Sequence, residues 1–313
     1  MNATSAVAPT KSKTGWYFFL MALASLMWSG QGTAVKVLDR HMGPIAITFL
    51  PFYITTFLFV PLLLKMRREN PSAQNPSAGD WVKFVIAGVA GQVLAQLGMT
   101  WGISRSLASN GAILNLLIPV ISAVLASLML KERITLLRVA SLLIGLAGVV
   151  LMSVSDWKQA SFGQMRFLVG NLLILGGCLG SSFYNVYCKG LMQRFTEIEI
   201  LIFSYVTASI ASLPLLIWVE PFSFRSFQQF DWQSWAAFAF LAIFMYGASM
   251  LLFFKALQHL DVTTASASLY LVPVFGVLLA VVLLGERLNL LAIAGAAVVL
   301  MATILIMKYD TSY

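Results

Sequence analysis

Two stretches carry the decision about the fold: LLIPVISAVLASLMLKERITLL at residues 116–137 and YLVPVFGVLLAVVLLGERLNLL at residues 270–291. They align without gaps, setting Pro119 opposite Pro273, Ala126 opposite Ala280, and Glu132-Arg133 opposite Glu286-Arg287. Leucine pairs in such apolar runs match by chance. A proline followed thirteen residues later by Glu-Arg, twice, is a far rarer coincidence. Upstream, WSGQGTAVKVL (28–38) aligns more loosely with SSFYNVYCKGL (181–191), which puts Lys36 opposite Lys189. The chain therefore reads as a duplication.

Composition says what is duplicated. Of 313 residues, 59% are hydrophobic and 10% charged, and the mean hydropathy is +0.86. A soluble domain carries about 25% charge, so these few charges cannot cover a water-facing globule of this length. The apolar runs are continuous and do not alternate with period two, which excludes a membrane β-barrel. At about 20 residues per crossing the chain has room for roughly ten helices with short loops. The fold class is an all-α integral membrane protein of ten transmembrane helices, arranged as two inverted five-helix repeats. The inversion follows because an odd number of crossings leaves the second copy upside down.

The expected organisation is a cytoplasmic tail at 1–14, a first repeat at 15–153 and a linker at 154–166, then a second repeat at 167–307 and a tail at 308–313. The longest polar break, RRENPSAQNPSAGD (67–80), is a solvated loop. Ala22-Leu23-Ala24 looks like a signal-peptide cleavage site, but the apolar run continues through Val37, so cleavage is not expected. With both termini in the cytoplasm, lysine and arginine favour the inner loops by about two to one. That bias accounts for the net charge of +8 without nucleic acid as a partner. Cys178 and Cys188 share one apolar segment and read as buried hydrophobes; no metal or cofactor spacing occurs.

The chemistry lies in what the spans carry. Every aspartate and glutamate falls in a loop or near a span end, which argues for uniport or exchange and against carboxylate-driven proton antiport. Polar side chains recur at helical spacing: Ser181, Asn185 and Lys189; Gln92 and Gln96; Ser106 and Asn110, with Asn115 nearby; Thr263, Ser266 and Tyr270. An amide facing lipid without a partner costs several kcal/mol, so these groups should face the bundle interior or a wet cavity. The candidate substrate-binding residues are Trp28, Gln31, Gln92, Gln96, Asn110, Asn115, Tyr184, Asn185 and Tyr270. Gly30, Pro119 and Pro273 are candidate kink or gating positions. Serine and threonine hydroxyls also hold transmembrane helices together, and that reading competes for Ser106, Ser122, Thr263 and Ser266. Lys36 and Lys189 read as snorkelling lysines, and the two Glu-Arg pairs as helix-end anchors.

Trp28-Ser29-Gly30, the two Pro-to-Glu-Arg blocks and Leu284-Gly285-Glu286-Arg287 together resemble the drug/metabolite transporter superfamily, in particular its EamA-type members. The first copy departs from the usual Leu-Gly-Glu ending, with Lys131 in place of glycine, and FLPFYITTF (49–57) lacks an arginine frequent in the second span. The resemblance implies a central cavity between inverted halves, alternating access, and small metabolites as cargo. The expected function is a plasma-membrane exporter or exchanger of an amino acid or related amphipathic solute, with a possible homodimer. A flippase for a lipid-linked substrate and a non-transporting membrane interaction protein are the alternatives. An intramembrane enzyme is not expected, since no HExxH, GxSxG or carboxylate pair is found.

Overall fold

The computed structural model describes residues 11–69, 75–106, 114–152, 165–220, 223–284 and 290–309, and these form helices and turns alone. Six helices are long and apolar enough to cross a bilayer: Gly15–Val35, Pro44–Glu69, Ala78–Ser104, Leu168–Leu191, Glu197–Val219 and Trp232–Leu257. Four shorter apolar helices stand at Leu117–Leu130, Leu136–Gly148, Val262–Gly276 and Ile293–Ile306. The expected linker and both terminal tails fall largely or wholly outside the described residues.

We number the elements α1 (Lys11–Ser29), α2 (Gln31–Leu38), α3 (Pro44–Glu69), α4 (Ala78–Ser104), α5 (Leu117–Leu130) and α6 (Leu136–Met152). They continue as α7 (Met165–Leu191), α8 (Glu197–Val219), α9 (Trp232–Leu257), α10 (Val262–Ala267), α11 (Leu271–Leu284) and α12 (Leu290–Tyr309).

Local chemistry sets the ends. Ser77 caps α4, accepting from the Asp80 N–H while the Asp80 carboxylate accepts from the Ser77 N–H, and Thr196 and Glu199 do the same for α8. Asp231 caps α9 by accepting from the N–H of Ser234. Ser77 and Asp231 stand at the same interval as Pro119 and Pro273, with the serine and aspartate exchanged between cap and third position. Each of these two helices then opens into a π turn, at Ala87–Val93 in α4 and Leu241–Ala248 in α9, again at that interval. Threonines from the other copy donate to carbonyls in or just before these turns: Thr207 of α8 donates to Phe84 O at 2.8 Å, and Thr55 of α3 donates to Ala242 O at 2.5 Å.

Helices α3 and α8 lie side by side along a seam whose pairings run in opposite directions. Glu220 Oε1 accepts from the Ala46 N–H (3.0 Å), Tyr53 Oη meets Ser212 Oγ (2.9 Å), and Arg67 Nη2 donates to Glu199 Oε1 (3.1 Å). The two helices are antiparallel. Glycine allows the closest approach of α4 to α7: a Cβ on Gly98 would sit 2.8 Å from the Gly177 backbone nitrogen. Helices α6 and α12 form a second close pair, at Gly148 and Gly295.

Candidate prolines fall near helix starts. Pro119 is the third residue of α5, where its missing N–H is harmless. Pro273 is the third residue of α11, just beyond the tight 3-10 turn Ser268–Tyr270 that separates α10 from α11. Gly30 separates α1 from α2, and a Cβ there would lie 2.7 Å from the Phe240 ring.

Candidate functional site

An aromatic row crosses the interior. Trp28 of α1 meets Phe253 edge-on at 5.3 Å; its neighbour Phe254 stacks on Tyr184 of α7 at 5.5 Å. The Tyr184 hydroxyl meets Ser204 Oγ at 2.9 Å, and its ring packs on Gly91, the residue before Gln92. Gln96 Nε2 donates to Gln92 Oε1 at 3.3 Å. Burial grades these residues: Gln92 and Tyr184 are closed off, whereas Trp28 and Gln96 are half-buried at the margin. The sequence-derived residues on α1, α4 and α7 therefore form one connected group.

A second group lies between α5, α6, α7 and α10. Cys178 Sγ contacts Leu114 O (3.4 Å) and Asn115 Oδ1 (3.6 Å), and Ser182 donates to Ile118 O at 3.1 Å. Continued along these parallel helices, the same register brings Asn185 to the level of Ser122. Asn185 is buried, and the hydroxyls of Ser122, Ser141, Ser266 and Tyr270 are buried without a hydrogen-bond partner. An unsatisfied buried hydroxyl costs about 1–3 kcal/mol. Tyr270 packs its ring on Gly145, one turn from Ser141. Ser141 was not singled out in the sequence, because one serine in an apolar helix carries no spacing signal. Gln31 stands apart on α2, which lies against the start of α9. Asn110 lies outside the described residues, as do Glu286 and Arg287.

At the end of the bundle that holds Arg67 and Glu199, charges are arranged differently from the sequence reading. Lys189 does not snorkel: its ammonium donates to Leu257 O (2.6 Å) and Gln258 O (3.0 Å), closing the C-terminus of α9. The side chain of Lys36 is outside the described set. Glu132 reaches across to the other copy. Its carboxylate accepts from the Val262 N–H at 2.7 Å, the Thr263 N–H at 3.2 Å and the Thr263 hydroxyl at 2.9 Å, so it caps α10. Arg138, 1% exposed, donates to Arg133 O at 2.9 Å, pairs with Asp261 and lies 3.7 Å from Glu132. Beside this network opens a cleft of about 420 Å³ lined by Lys131, Glu132, Lys189, Gln258 and Asp261, with Met129 and Met192 among its apolar walls.

All described carboxylates sit at helix ends. Asp80, Glu197 and Glu199 are in first turns, Asp231 and Asp261 precede helices, and Asp39, Glu69, Glu132 and Glu220 close them. Asp156, Glu286 and Asp310 lie outside the described residues. Outside the spans, the hydroxyl and N–H of Ser234 hold the Asp231 carboxyl below the usual aspartate range.

These features define a helical membrane protein of transporter type. A model of the EamA-like transporter family matches residues 15–154 and again 168–308, and the chain belongs to that family. An uncharacterized transporter of Archaeoglobus fulgidus is 27% identical over 295 residues, covering 93% of this chain and 98% of its own. A protein of Streptantibioticus cattleyicolor named "Probable terminal-alkyne amino-acid exporter" is 26% identical over 295 residues, covering 94% and 93%. A solved crystal structure superposes with a TM-score of 0.75 at 19% identity over 95% of this chain and 97% of that one, a likeness of fold alone.

Proposed function

We propose that the protein is a secondary transporter that moves a small amino-acid-like metabolite across the plasma membrane by alternating access. In this reading it has ten crossings in two inverted five-helix copies, with both termini cytoplasmic. The antiparallel α3–α8 seam carries the inversion: helices that correspond between copies and run antiparallel are related by a twofold axis lying across them. Exchange of the threonine contacts between copies supports the same axis. Tyr17 stacks on His259 at 4.5 Å, which favours the N-terminus lying at the charged end, the end richer in basic residues.

The cargo contacts are assigned to the half-buried side chains at the edge of the interior groups, Trp28, Gln96 and Asn115, with Asn185 and Tyr270 behind them, and to Gln31, half-buried on α2 apart from both groups. Gln92 and Tyr184 hold that wall in shape. Amides and aromatics, with no central acid among the described residues, suit a neutral or zwitterionic solute. No coupling carboxylate is invoked, and exchange or uniport follows. Solute counterflow in proteoliposomes tests this: labelled amino acids should accumulate transiently against a trans excess of the same solute. Failure of every amino acid to exchange would refute the cargo class.

A further inference from the structure

We propose that the cleft at the charged end is a binding site for the carboxylate end of the solute, held by Lys131 and Lys189. It adds to the interior contacts assigned above a second docking point for the same solute at the charged end, and it rests on that transport reading.

The argument starts from a backbone oddity. Lys131 is the one non-glycine residue with positive φ among the described residues, at 58°. It follows the last turn of α5, whose end is closed by Glu132 N–H reaching back to Ala126 O at 3.3 Å. That left-handed position normally takes glycine, because a Cβ crowds the backbone there. The corresponding position of the second copy is indeed glycine, Gly285. The first copy therefore keeps a lysine where the fold prefers none.

The cleft supplies a reason for it. Lys131 is exposed and lines the cleft with Lys189. An ammonium has three N–H donors, and Lys189 gives two of them to Leu257 O and Gln258 O, leaving one. The acids nearby are already engaged: Glu132 caps α10, and Asp261 pairs with Arg138. The cleft of about 420 Å³ is lined by two cations, Lys131 and Lys189, and the acids around it have other partners: Glu132 and Asp261 face Arg138, and Glu197 accepts from Gln258 at 3.0 Å. A carboxylate would pair with the two ammoniums.

The test uses the full chain purified in detergent and in proteoliposomes. Lys131→Gly removes the ammonium and relieves the backbone, so the unliganded variant should melt at the same temperature or higher. For the amino acids that the wild type exchanges, binding should weaken about tenfold, the size of one lost charged contact. The des-amino carboxylic acid should lose as much, the methyl ester should be unaffected, and Lys131→Arg should restore most of the affinity. Wild-type exchange with unchanged carboxylate binding in Lys131→Gly would overturn the cleft site and leave the transport reading standing. A lower melting temperature for unliganded Lys131→Gly would overturn the backbone argument. Absence of any amino-acid exchange by the wild type would overturn both.

Discussion

Glu132 and Val262 belong to different copies of the repeat, yet the carboxylate of one accepts the backbone N–H of the other at 2.7 Å. The end of α5 thereby caps α10, and the two halves are tied at the charged end. The tie is electrostatic and local, so it can be released without unfolding either helix. Glu132→Ala should lower stability by about 1–2 kcal/mol through loss of the cap. It should also raise the reactivity of a cysteine at Gln258 toward a water-soluble maleimide. Glu132→Gln should fall between, measured by thermal melting in detergent.

Arg138 supplies the counter-case. At 1% exposure it neutralises two acids from different elements, and removing it leaves Asp261 and Glu132 without that charge. Breaking a buried pair costs about 3–5 kcal/mol. Arg138→Met should therefore lower the yield of folded protein more than Glu132→Ala does, read by size-exclusion profile and melting temperature.

The interior amides should separate from the packing residues by their readouts. Gln96→Leu, at a half-buried position, should reduce exchange about tenfold while leaving the melting temperature within a degree or two, because a lost solute hydrogen bond to an amide is worth roughly that factor. Gly98→Leu should do the reverse and reduce folded yield, since α4 and α7 meet backbone to backbone there. Equal effects of both substitutions on exchange per folded molecule would remove Gln96 from the site.

The pH dependence expected from Asp231 has a definite sign. Its carboxyl titrates below the ordinary aspartate range because Ser234 donates to the charged form. The unfolded chain then binds the proton more readily, so this contribution is complete above the ordinary aspartate pKa. It is lost as the pH falls through the lowered one. Asp231→Asn should flatten the acid limb of a stability-against-pH profile and leave the neutral region nearly unchanged.

Much of this architecture could be read from residues alone, and the parts that could not share a physical cause. The duplication rests on Pro119, Pro273 and the Glu-Arg pairs, and it reappears in caps and π turns spaced at the same interval. The π turns themselves were invisible, because AGVAGQV and LAIFMYGA have no proline or charge to announce them. The sequence makes Glu132 a helix-end anchor but does not say of which helix; it caps one 130 residues away, a pairing that only tertiary packing can create. Lys189 was misread for a similar reason. Snorkelling is the default for a lone lysine at a span end, and the open carbonyls of α9 offered it a nearer partner. The pairing of Gln92 with Gln96 was legible because four-residue spacing puts both on one face of α4, whereas the rings that join them to Trp28 come together only by tertiary packing. Ser141 was not.

Head-to-toe packing of the two copies is the central claim, and Asn75 with Gln229 tests it most directly. Both are exposed, and they hold corresponding places just before α4 and α9. Single cysteines at these positions should be labelled by a membrane-impermeant maleimide from opposite faces in sealed vesicles of known orientation. Labelling of both from the same face would contradict the account.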